Sequence, residues 1–405
     1  MAVLSDVVKD ARIVGLLASA FFTQTSQLSA GENDFPHNSN NTISKKIENQ
    51  LPDVLQNLKD QGRIAGSNIN LAHYTYQSLS EASQKLFCIV ANRSTKSASE
   101  SILSQKDFTG TTLAQTLAQL TSTKFHPLLE PQRNEIIENF LIELGNPGEL
   151  NQASWGVCGT GLVYQLFQDF PAEAARLTGA LLMPEVNCKF KDGSPLERAL
   201  FTLEPDRSPG RSTTERLLMS ALMERANGSL KYCTVCDSHF NPSNGAISHI
   251  GLTNLEISTL YGAVFAQPQA WRERPNTASG LMEFLKEQST SLSFVPVSLH
   301  WSKNEAVPKT YKHALLVPEP SINQHRTLVS EGSSAQKIDE NHFVLVVKVE
   351  ADKVFFRNLH GPSSLPKGTI LTNPPRILED PKLGIESMAY NEIANRLLAV
   401  FRPQE

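Results

Sequence analysis

Cysteine is scarce in this chain. There are five in 405 residues, Cys88, Cys158, Cys188, Cys233 and Cys236, an odd number without a framework spacing. That scarcity argues against a fold held by disulfides and for a reducing compartment. Charge is sparse too, at 19% of residues with a net −4, and no long basic run occurs. The electrostatic footprint of a nucleic-acid binder is therefore missing. No apolar run approaches the ~20 residues that a membrane span needs. Residues 13–22 are apolar and Ala18-Ser19-Ala20 mimics a signal-peptidase site, but Asp6, Lys9, Asp10 and Arg12 cancel one another. A conventional signal peptide would carry a net positive leader there, so an amphipathic helix is the better reading. The expected location is the cytoplasm, or export without a conventional signal peptide, delivery into a host cell included.

What the chain does have is an ordinary globular composition, 40% hydrophobic, with length for about two or three domains. Helical periodicity dominates the first third. Ile47, Leu51, Leu55 and Leu58 repeat at helical spacing, as do Leu113, Leu117 and Leu120. Ile136, Ile137, Phe140, Leu141 and Leu144 form the strongest stripe, between Pro131 and a Gly145 stop. Further helices are expected over 158–169 and from Pro171 to Leu182. Ser212 and Glu215 form a capping box for one ending near Gly228. Strands come late, at 294–299 and 314–317, with a hairpin of 343–349 and 354–356 about a turn at 350–353. Residues 343–347 are apolar on both faces and should be central in a sheet. A last helix is expected over 389–401, capped by Ser387. Helices first and strands later is the order of an α+β protein. It divides into a helical region, 1–144, serving as scaffold or partner surface, and a domain over 145–405 with a helical insertion around 190–290.

The most informative stretch is Asn151-Gln152-Ala153-Ser154-Trp155-Gly156-Val157-Cys158-Gly159-Thr160-Gly161. A thiol attacks well only as thiolate, and a helix N-terminus favours that form. Cys158 stands where glycine-rich loop should give way to helix. Its backbone N–H, with the Gln152 amide six residues upstream, could hold a developing oxyanion. Taken alone, Cys158 reads better as a buried inert cysteine, the commoner fate of a free thiol. Trp155 could wall a cleft or pack beneath the loop. The base must come from elsewhere among ten histidines. His342 opens the hairpin and Asn358 closes it, so the Asn358 side chain should reach and orient the imidazole. His313 begins another apolar segment and is a rival base, while His360 could line the same cleft. Cys233, Cys236, His239 and His249 could be a zinc set, although a single Cys-x2-Cys is weak support and buried thiols or a redox pair fit as well.

Gln-x-Ser-x-Gly-x-Cys, followed late in the chain by His, an apolar hairpin and Asn sixteen residues on, resembles the papain-like cysteine peptidases. Bacterial effector-type members of that fold are similar in style. The resemblance rests on about thirty motif residues. It implies a papain-like domain in which Cys158 is the nucleophile, His342 the general base and acid, Asn358 its orienter and Gln152 an oxyanion donor. It implies a hydrolase of amide bonds in a protein or peptide substrate, acting through a thioester without metal or cofactor. A glutamine deamidase or acyl transferase with the same triad, and a binding protein that kept the fold, are the alternatives. Three features depart from the pattern. Gly159 replaces the aromatic residue after the nucleophile, Leu359 and His360 stand where a Trp follows the Asn, and 184 residues separate Cys158 from His342.

Overall fold

The computed structural model describes residues 52–403 except 96–98, 153–160, 205–210, 227, 229, 235–236, 243–246, 250–251, 253, 267–268, 274–277, 292–293, 302–340, 359–364, 373 and 382. It is a mixed α and β protein, helical first and then sheet-forming.

Among the described residues, seven α-helices build the first half: α1 (Asp53–Asp60), α2 (Gly66–Ser78), α3 (Glu81–Asn92), α4 (Leu113–Ser122), α5 (Arg133–Gly145), α6 (Leu162–Asp169) and α7 (Pro171–Leu182). Their boundaries follow local chemistry. Thr112 and Gln115 form a reciprocal capping box at α4, Ser80 caps α3, and Pro171 opens α7 at the position where its missing N–H costs nothing. Helices α2 and α3 lie outside the sequence expectations. Helix α8 (Thr213–Ala226) begins where predicted: Ser212 Oγ accepts from the Glu215 N–H at 3.0 Å, and Glu215 accepts from the Ser212 N–H at 2.6 Å.

A small antiparallel sheet follows, β1 (Lys231–Cys233), β2 (Ser238–Phe240) and β3 (Ile247–His249), then α9 (Asn254–Phe265). The large sheet comprises β4 (Gln269–Glu273), β5 (Val295–His300), β6 (Asn341–Val349), β7 (Lys353–Arg357), β8 (Ile370–Leu371), β9 (Arg376–Asp380), β10 (Ile385–Ala389) and β11 (Leu397–Pro403). Its spatial order is β4-β11-β5-β6-β7-β10-β9-β8. Helix α10 (Ala278–Ser291) precedes β5, and α11 (Tyr390–Arg396) links β10 to β11.

As its two-sided apolar pattern predicts, β6 is central, and its alternation divides the sheet's faces. Phe343 and Leu345 join the core built by the helices, which runs from Leu55 to Phe401. Val344 and Val346 join a second core with Val297, Val354, Phe356, Met388 and Val400, closed by Leu285 of α10 and Ile393 of α11.

Two expectations are corrected. The helix over 389–401 is two strands around a seven-residue helix. Ile393, Leu397 and Val400 fit helical spacing, yet pairing with β5 and β4 satisfies the backbone of 397–403 while burying the same side chains. Cys233 is disulfide-bonded, to a partner outside the described residues, whereas Cys88 and Cys188 are free. An odd cysteine count forbids pairing all five but not pairing two. The segment 314–317 lies outside the described residues, and no described helix is long and apolar enough to cross a membrane.

Candidate functional site

The hairpin brings His342 and Asn358 together. Leu345 pairs with Arg357, and a bulge between Val346 and Lys348 sets the register. Asn358, one step past β7, thus falls on the same face as Val344 and His342, in diagonal reach of the imidazole. The His342 Nε2 and Asn358 Oδ1 are 2.9 Å apart, with both residues buried. An amide oxygen only accepts, so this bond requires the proton on Nε2 and assigns proton exchange to Nδ1.

The surrounding groups come from neighbouring strands. Leu299 pairs with His342, so Trp301, two residues on, projects to the same face. Its ring centroid lies 4.4 Å from that of His342 and 6.3 Å from that of Phe356. A Trp thus covers the His–Asn bond although none follows Asn358 in sequence. On the other side Glu386, paired with Phe356 on β10, accepts from Asn358 Nδ2 at 3.4 Å through both carboxylate oxygens. Arg376 Nε donates to Glu386 at 2.6 Å, and its guanidinium lies 5.1 Å from the Trp301 centroid.

The loop proposed from sequence to carry a nucleophile is described only at its ends. Cys158 and Trp155 lie outside the described residues, as do His313 and His360. Gln152 is buried. The preceding N–H, of Asn151, donates to Glu215 at 2.5 Å. Glu215 lies beside Glu143, which accepts from the Ser212 and Thr214 hydroxyls. Burial pushes Glu143 well above the ordinary carboxylate range, and the Glu215 charge adds to that. Burial raises Glu215 to about 7, against the pull of its N–H donors. Beyond the loop, α6 begins at Leu162 and carries Tyr164.

Arg357 joins loop to hairpin. Facing opposite to Asn358, it donates to the carbonyls of Pro147 and Gly148 at 3.3 and 2.9 Å, and to Leu383. Its guanidinium lies 3.9 Å from the Tyr164 ring centroid. The turn leading to Gln152 and the strand leading to Asn358 are thus clamped by one side chain.

No family model, curated protein or solved structure matches this chain. The functional reading therefore rests on its own residues. Trp301, Arg357, Arg376 and Glu386 escaped sequence reasoning because each reaches the site from a different strand. Only the position of Arg357 beside Asn358 offered a local signal. Of the zinc candidates, Cys236 lies outside the described residues, His239 is buried against Tyr232, and Cys233 is in the disulfide. Among the described residues no three His, Cys, Asp or Glu side chains are grouped to hold a metal.

Proposed function

We propose that this protein is a papain-like, cysteine-dependent hydrolase of amide bonds in a protein or peptide substrate. Cys158 is the nucleophile, His342 the base and then the acid, Asn358 the orienter of His342 and Gln152 an oxyanion donor. The observation that carries the reading is the buried 2.9 Å contact between His342 Nε2 and Asn358 Oδ1 under the Trp301 ring. An imidazole oriented by an amide oxygen and shielded from water is what a thiolate–imidazolium pair needs. The thiolate adds to the carbonyl, His342 Nδ1–H protonates the leaving amine, and water hydrolyses the thioester.

The test is mass spectrometry of unfolded protein substrates incubated with wild type and with Cys158→Ala. Chain cleavage that the variant abolishes supports a peptidase. Side-chain amides converted to acids, or amine adducts, would replace it by a deamidase or transferase with the same triad. Identical products from both proteins, with Cys158 alkylated by iodoacetamide no faster than a free thiol, would leave only a binding role.

A further inference from the structure

We infer that Glu386 and Arg376 are positioning residues for the His342–Asn358 pair, setting the polarity of the Asn358 amide and favouring the protonated imidazole. This inference rests on the function proposed above. A terminal amide is nearly symmetric in shape, so sterics alone leave its oxygen and nitrogen exchangeable. The Glu386 carboxylate breaks that symmetry. When ionised it only accepts, and both its oxygens lie 3.4 Å from Asn358 Nδ2. The amide must therefore turn its N–H groups to Glu386 and its oxygen to His342. That oxygen in turn demands Nε2–H on the ring. One carboxylate thus dictates, through Asn358, which imidazole nitrogen is available to the thiol.

Arg376 keeps the carboxylate in place. Its Nε donates to Glu386 at 2.6 Å, and its Nη1 donates to the carbonyl of Pro374 at 3.0 Å. Glu386 and Arg376 are both largely buried, at 9% and 14% side-chain exposure, so their interactions are screened far less than a surface pair. The row follows the sheet: Trp301 after β5, His342 on β6, Asn358 after β7, Glu386 on β10 and Arg376 on β9, consecutive strands in the spatial order. The charged groups linked to His342 through Asn358 are Glu386, from β10, and Arg376, from β9. Asn358 and Trp301 are its neutral neighbours. Along this chain of hydrogen bonds the anion stands one step nearer the imidazole than the cation does, so the pair favours imidazolium.

A purely structural ion pair would loosen the site whichever partner is lost, whereas a positioning pair predicts shifts of opposite sign. The experiment is imidazole NMR of the full chain, with the His342 signals assigned by their loss in His342→Gln. Wild type should show the Nε2–H tautomer above its titration midpoint, and an Nδ1–H tautomer overturns the inference without any further variant. Glu386→Gln leaves the Arg376 charge uncompensated and should lower the His342 midpoint by about half a pH unit or more. Arg376→Met leaves the imidazolium as the nearest cation to Glu386 and should raise it. Shifts of the same sign, or none beyond about 0.2 unit, overturn the inference. If one variant fails to fold, the other and the wild-type tautomer still decide. Iodoacetamide alkylation of Cys158, run alongside, separates the two claims. Fast alkylation with unmoved midpoints removes the roles of Glu386 and Arg376 alone. Slow alkylation with opposite shifts removes the hydrolase reading and keeps the electrostatic arrangement.

Discussion

The Arg357 guanidinium stacks over the Tyr164 ring at 3.9 Å, joining the sheet to the helix that follows the loop of Cys158. It is 1% exposed, and its Nη1 donates to the main-chain carbonyl of Leu383 and its Nη2 to those of Pro147 and Gly148. Arg357→Met keeps the apolar stem but leaves those carbonyls without their donor, a loss of about 3 kcal/mol of stability. Arg357→Lys should recover little, because an ammonium reproduces neither the stack nor the fork. Urea unfolding measures both. Near-full recovery in the Lys variant would show that charge alone matters there.

His342→Ala should reduce iodoacetamide alkylation of Cys158 at pH 7 by about a hundredfold. Asn358→Ala should reduce it by about tenfold, since the ring remains but turns more freely. The measurement is the second-order rate by intact-mass spectrometry. If His342→Ala alkylates at the wild-type rate, the base is another histidine, and His313 is the next to be substituted.

Trp301→Ala should expose the His342–Asn358 bond to water and lower the same rate by about tenfold. Trp301→Phe should retain most of the reactivity, as an aromatic face still covers the imidazole. Equal losses in the two variants would point to a contact specific to the indole.

Stability should fall as pH rises through neutrality. Burial raises Glu215 and Glu173 to about 7, and Glu143 well above the ordinary range. In the unfolded chain these carboxyls titrate near ~4.3, so between that pH and 7 the folded state holds more protons. The stability contributed by these protonated groups is complete below the unfolded pKa. It is lost as pH climbs through the folded one. Thermal unfolding at pH 6 and pH 8 should therefore give a higher Tm at pH 6. Glu143→Gln, which cannot ionise, should narrow the gap, and an unchanged gap would assign the pH dependence to Glu215 and Glu173.

Parts of this fold were legible because their causes are local. The capping box at Ser212 and the proline at 171 are contacts within a few residues, and a pattern of residue types suffices to find them. The same holds for β6 and β7, where an apolar run, a charged turn and a return strand fix each other's register, and with it the meeting of His342 and Asn358. The segment 389–401 misled because its apolar spacing suits a helix and a strand alike. The presence of β4 and β5 as partners settles that choice, and no residue inside the segment records it.

The sequence by itself determined the order of helices before strands, the central hairpin and the pairing of His342 with Asn358. Each follows from periodicity or from residues joined by a short turn. The tertiary structure decided what surrounds that pair: the Trp301 cover, the Glu386–Arg376 brace, the Arg357 clamp and the buried Glu143–Glu215 pair beneath Asn151. These side chains converge from strands and helices tens to hundreds of residues apart. Their interactions depend on burial and on which strands lie side by side, quantities that do not exist until the chain has folded.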